Sequence, residues 1–232
     1  MSRELLHSEW IMVRAVLSRS LVMLNKAERF HSQLPALGKI PSSYVPTSSL
    51  ESPYRKAVEF FENHYGDTKP GSVAKLFPQI RRALNSLSRN NTRWVSNEEA
   101  DKGDRHKRGP AKTAAYVSDT ASDRKMYFAE RFFYTRPTDV VDALNRTRGK
   151  PAKVESRLKL SPDVLSELII HEAFHLAHRK ITGHPGFPHG GGPHNDDKGS
   201  KDSKGPFRKI KDRYRLKNAY VFARYVREAS AE

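Results

Sequence analysis

The sequence predicts an α+β fold, mostly helical with a small antiparallel sheet, and three features lead to it. Apolar residues recur three and four apart through several long stretches, the period of amphipathic helices. Two short runs rich in apolar and aromatic residues flank a polar turn, as in a hairpin. Proline, serine and glycine punctuate the joins. A chain of 232 residues can bury one sizeable core, so an N-terminal helical region, residues 1–90, is expected to pack on a unit of residues 91–232 that carries the chemistry.

Leu6, Trp10, Val13, Leu17, Leu21 and Leu24 mark a helix within residues 3–34. The Pro/Ser-rich run 35–52 reads as a loop, after which Ser52-Pro53 supplies a cap and a first-turn proline for a helix ending near Gly66. A third helix follows Ser72, with Val73, Leu76, Ile80, Leu84 and Leu87 on one face; Pro78 is tolerated only near its start or as a kink. Residues 90–111, including Arg105-His-Lys-Arg108, read as a basic loop. Thr113–Val117 and Lys125–Tyr134 are strand candidates joined by a turn, the second passing into irregular structure near Glu130, and a short helix is expected at Thr138–Leu144.

The formal charge of +16 creates a field that attracts nucleic acid, anionic lipid or an acidic envelope polymer. Nucleic acid is not the favoured partner, because Trp94 is the only aromatic near the basic loop that could stack on a base. The apolar stretch Trp10–Leu24 is broken by Arg14 and Arg19, so neither a signal peptide nor a membrane span is expected. The expected location is then the cytoplasm, or the periplasm or exterior if a specialised secretion system delivers the chain. With no cysteine, any metal must be held by imidazole and carboxylate.

Ser161-Pro162-Asp163 combines a hydroxyl cap, a proline with no donor to satisfy and a first-turn carboxylate. Arg179, Lys180 and Gly183 suit the other end of a helix over residues 162–181. Leu165, Leu168, Ile169 and Leu176 lie on one side of it, Ile170, Phe174, Ala177 and Ile181 on another, as in a buried helix. Within it stands His171-Glu-Ala-Phe-His175. Histidines four apart share a face, and both imidazoles can reach one zinc ion (Zn2+) at about 2.0–2.1 Å. Glu172, rotated away from the ion, can reach a water held there; zinc brings the pKa of such a water to about 7, so Glu172 reads as the general base. The expected activity is that of a zinc metallopeptidase hydrolysing internal bonds of a peptide or protein.

A catalytic zinc takes a third protein ligand. Six of the ten histidines, His171, His175, His178, His184, His189 and His194, lie in or just after this helix, and the glycine-rich stretch 183–199 can fold back over an ion. His178, one turn beyond His175, is too far along to join the same ion and reads as a supporting or surface residue. Ile181 stands where the metzincin pattern needs a histidine, and a late glutamate ligand is poorly served, since Glu228 is the only downstream candidate before the terminal residue.

Four segments, Ala115-Tyr-Val117, Lys125 to Phe133, His171 to His175 and Asn218-Ala-Tyr-Val-Phe-Ala223, resemble the aspzincin group of deuterolysin and peptidyl-lysine metalloendopeptidase, with its bacterial toxin-like relatives. The resemblance covers about half of the chain. It implies a zincin-like catalytic domain in which the strand near 125–134 edges the cleft and pairs with an extended peptide, while the 162–181 helix forms the floor. It also implies an aspartate as third ligand, within Gly-Thr-x-Asp-x-x-Tyr-Gly. Asn195-Asp196-Asp197-Lys198-Gly199 is the nearest counterpart and lacks the Gly-Thr lead-in and the tyrosine, so Asp197, Asp196 and His184, nine residues after His175, all stay open. The missing tyrosine leaves Tyr214 and Tyr220 as candidates to stabilise the oxyanion, with Tyr220 the more readily explained as a core aromatic of an apolar helix with Phe222 and Val226.

A bacterial toxin or secretion-system effector is one setting for such an enzyme, and an immunity or inhibitor protein would then be a partner. The alternative is a basic nucleic-acid or cell-envelope binding module whose histidines hold a structural metal or none.

Overall fold

The computed structural model describes residues 2–34, 52–66, 68–103, 114–117, 125–133, 162–182 and 215–232. Among them run β1 (Ser2–Arg3), α1 (His7–His31), α2 (Ser52–Tyr65), α3 (Pro70–Ala74), α4 (Leu76–Asn85), β2 (Thr92–Val95), α5 (Asn97–Gly103), β3 (Ala115–Val117), β4 (Met126–Ala129), α6 (Glu130–Phe133), α7 (Pro162–Thr182) and α8 (Ala219–Ala229). The described residues are mostly helical and include one four-stranded sheet, compatible with an α+β class. No helix among the described residues is long and apolar enough to cross a membrane.

The α7 helix packs against α1, α4, α8 and β3. Its Leu165, Ile169, Ile170, Ala173, Phe174 and Ala177 are buried, meeting Val13, Leu17 and Leu24 of α1, Phe77 and Ile80 of α4 and Val221 and Phe222 of α8 in one core. Small residues meet where α1 and α7 cross. Ser20 and Ser166 are fully buried, and the Ser20 hydroxyl donates to Val16 O of its own helix at 2.8 Å, satisfying itself without widening the gap.

Local chemistry explains the boundaries. Glu9 accepts from Leu6 N at 2.7 Å, so α1 begins at His7 rather than near residue 3, and the residues before it form β1 instead. The α2 helix ends where Gly66 turns to φ 56°, a left-handed position glycine adopts without steric cost. The single helix expected after Ser72 is two, because the chain restarts at Leu76 and places Pro78 in the first turn of α4. Asn218 caps α8, its Oδ1 accepting from Tyr220 N and Val221 N.

The sheet corrects three expectations. Its order is β1-β2-β4-β3 and it is mixed, not antiparallel: β2 runs parallel to β4, while β1 and β3 are antiparallel to their neighbours. The part of 90–111 read as loop contains β2 and α5 up to Gly103, since pairing with β1 and β4 gives Thr92–Val95 the partners that its own composition does not advertise. The strand at 125–134 is the interior β4, turning into α6 at Glu130, and the strand beside α7, last in the sheet among the described residues, is β3. The turn 118–123, the helix expected at Thr138–Leu144 and Arg105–Arg108 lie outside the described residues.

A buried polar cluster ties α8 to α1 and α2. The Tyr225 hydroxyl donates to His31 Nδ1 at 2.8 Å and His31 Nε2 donates to Pro70 O at 3.0 Å, the pattern of a neutral ring, in keeping with burial lowering the His31 pKa. The Glu228 carboxylate meets His64 Nε2 at 3.1 Å and Arg224 Nε. The His64 hydrogen bond, then Arg224, hold Glu228 down at about 2 from an ordinary 4.5 against the opposing effect of burial. A carboxylate lowered on folding stabilises the fold above its unfolded value, and that contribution is lost as pH falls through the folded one. Glu228→Gln is therefore expected to lower the urea midpoint near neutrality, with the gap from wild type closing as pH falls from 4.5 towards about 2. A gap that stays constant across this range would contradict the assignment.

Candidate metal centre

One buried turn of α7 carries the polar residues. His171 and Glu172 are 4% and 7% exposed, and His175 is half-buried. The helical spacing brings the two imidazoles together with Nε2 atoms 3.1 Å apart, the rings inclined at 71°. Two nitrogens bound tetrahedrally to one zinc at about 2.0–2.1 Å would stand about 3.3–3.4 Å apart, so this pair fits a shared ion with almost no movement. The same separation suits an N–H···N hydrogen bond, in which a proton occupies the place of the ion.

Glu172 faces the sheet. Its Oε2 accepts the Val117 N–H at 2.9 Å, while Oε1 is 3.9 Å from His171 Nε2. One oxygen is thus held by the edge strand and the other turned towards the imidazole pair. The sheet register explains why this N–H is available. Ala129 N donates to Ala114 O at 2.9 Å, so Ala114 and Tyr116 exchange hydrogen bonds with β4, and the alternating Ala115 and Val117 direct their N–H and C=O away from it.

Tyr220, in the first turn of α8, packs on His171 with centroids 4.1 Å apart. It is 41% exposed and not the core aromatic expected from its apolar neighbours. His178 is buried rather than on the surface; its ring lies 3.9 Å from Phe174, and burial, aided by Lys217, pushes its pKa down to about 4. It stands apart from the Nε2 pair as a neutral packing group.

Of the sequence candidates, the structure brings together His171, Glu172, His175 and Tyr220. Asp197, Asp196, His184 and Tyr214 lie outside the described residues, and among those described no three His, Asp or Glu side chains form a cluster able to hold an ion. The group that sequence reasoning missed is the Val117 N–H. A backbone donor has no residue signature, and the only signal was the strand candidate ending at Val117.

Imidazole donors at this separation fit zinc, whose affinity falls by about 10–100-fold when even an outer-shell partner is lost. Replacing either ring, in His171→Ala or His175→Ala, is therefore expected to weaken zinc binding by more than about 100-fold in calorimetry, with helicity retained. Unchanged affinity in both variants would show that these rings hold no ion.

Compared with known proteins, the chain matches no family model, no curated protein and no solved structure.

Proposed function

We propose that the protein is a zinc-dependent metalloendopeptidase, with His171 and His175 as metal ligands and Glu172 as general base. The observation that carries this reading is the combination of two converging Nε2 atoms with a carboxylate oxygen turned towards them while its partner oxygen is tethered to Val117 N. Bound zinc supplies Lewis acidity that brings the pKa of water to about 7.

The chain's own groups do the rest. Glu172 Oε1, the oxygen turned towards the imidazole pair, takes a proton from the attacking water and passes it to the amine that leaves when the peptide C–N bond breaks. The tether fixes the carboxylate rotamer, so this oxygen stays aimed at the imidazole pair. Tyr220 is the described tyrosine next to the pair, and an exposed phenol there suits stabilisation of the oxyanion. The third ligand is assigned to the segment containing His184, Asp196 and Asp197, which the resemblance to aspzincins favours at Asp197.

Glu172→Gln preserves size and the acceptor for Val117 N–H but cannot take the proton. It is expected to keep one zinc per chain while peptide hydrolysis falls by about 10²–10⁴-fold. A chelator should abolish wild-type activity and added zinc restore it. A basic binding module, the rival reading that the charge of +16 keeps open, would bind its polyanion equally well with either residue at 172. Tyr220→Phe retains the ring on His171, so a kcat lower by about 10²-fold at unchanged zinc affinity is expected if the hydroxyl serves the oxyanion, and an unchanged kcat assigns that role elsewhere.

A further inference from the structure

Three of the four large apolar side chains that stand exposed among the described residues, Leu6, Ile11 and Val22, belong to α1 or to its N-cap. A single exposed apolar residue is ordinary, but these are in register. Ile11, Ala15, Ser18 and Val22 follow one another at steps of four, three and four, the period of a coiled-coil seam, and all four are exposed. Ile11 and Val22 are 54% and 55% exposed, and Asn25 and Arg29 continue the same steps, a line of roughly 27 Å. The seam lies on the side of α1 away from Ser20, which meets α7.

The flanks of the seam carry positive charge in excess. Arg14 borders it on one side, Arg19 and Lys26 on the other, the positions from which a helix pair exchanges ion pairs. The acids of α1 are already engaged, Glu9 by Arg3 and Glu28 by Arg81, and Arg19 itself meets Asp163 at 2.6 Å. Arg14, Lys26 and Arg29 are exposed and have no acidic partner among the described residues.

We infer that this face of α1 docks one helix of an acidic protein partner, whose apolar residues lie along Ile11, Ala15, Ser18 and Val22 and whose carboxylates meet Arg14, Lys26 and Arg29. Charge complementarity selects that occupant. A second copy of the chain presents the same cations and no free acid on this face, so like charges meet. A lipid surface takes helices with Trp, Phe or Leu on the buried face, whereas the middle of this seam is Ala15 and Ser18, which let a neighbouring helix approach closely and offer a bilayer little. The inference stands whether or not the peptidase reading holds.

The test uses the full chain and a dye-labelled peptide of three heptads, stapled as a helix, with Leu and Ala on the seam and Glu on its flanks. A scramble of the same composition and charge, and a version with Lys in place of Glu, are its controls. At about 0.15 M salt, where attraction between exposed charges is screened beyond roughly 8 Å, the heptad peptide is expected to bind at least about 10-fold tighter than the scramble. Ala15→Lys/Val22→Lys adds two cations yet blocks the seam, and is expected to bring that ratio to within about twofold of unity. Arg14→Glu/Lys26→Glu is expected to turn the preference towards the Lys version. All four side chains are exposed, so helicity by circular dichroism is expected to match wild type in both variants. Equal binding of peptide and scramble by wild type, or an unchanged ratio in Ala15→Lys/Val22→Lys, overturns the inference. Without the peptide preference, binding to phosphatidylglycerol vesicles assigns the face to a lipid surface, and dimerisation abolished in Ala15→Lys/Val22→Lys assigns it to a second copy; either overturns the inference.

Discussion

A helix covered on most of its circumference is under pressure to give its polar side chains partners inside the protein, because an unsatisfied buried group costs about 1–3 kcal/mol. The α7 helix is such a helix, packed on α1, α4, α8 and β3. That constraint shapes everything near it. Glu172 is satisfied by a backbone N–H from the sheet, and His171 and His175 turn their Nε2 atoms towards one another. Ser166, fully buried at the crossing with α1, has no hydrogen-bond partner for its hydroxyl among the described residues, and its value lies in size.

The second helix of the site, α8, is positioned by interactions remote from the imidazoles. Asn218 fixes its start, Phe222 and Tyr225 anchor its middle in the core, and Glu228 binds its end to His64 of α2. Phe222 meets Phe77 at 5.4 Å and Phe174 at 5.7 Å, which sets the separation of α8 from α4 and α7. Tyr220 comes to rest over His171 as a consequence of those anchors. A group at the far end of α8 can thus influence how an aromatic ring sits on an imidazole.

Most helices were legible because their signals are local. The cap chemistry before α7 and its two apolar sides fixed its limits to within a residue, and the four-residue spacing of its histidines already implied convergence. The sheet was less legible. β2 hides in a polar stretch because what makes it a strand is its register with β1 and β4, and neither hairpin strand declares from composition which will be interior. Tyr220 was readable in principle: it shares the helical stripe of Arg224 and Arg227, four and seven residues on, while the buried residues of α8 fall elsewhere. Its apolar neighbours Val221 and Phe222 obscured that period. The third ligand falls in a glycine-rich stretch whose spacing constrains no geometry.

The contact of Glu172 with Val117 joins the two halves of this picture. The residues are 55 positions apart, and their hydrogen bond locks the edge of the sheet to the turn of α7 that carries the imidazoles. On the peptidase reading, the strand therefore sets the orientation of the base, and misplacing a reacting group by about 1 Å can cost about 10²-fold in rate. The strand needs no special side chain at Val117 to do this. Its outward N–H follows from pairing with β4, which makes the short hairpin as much a part of the site as the helix.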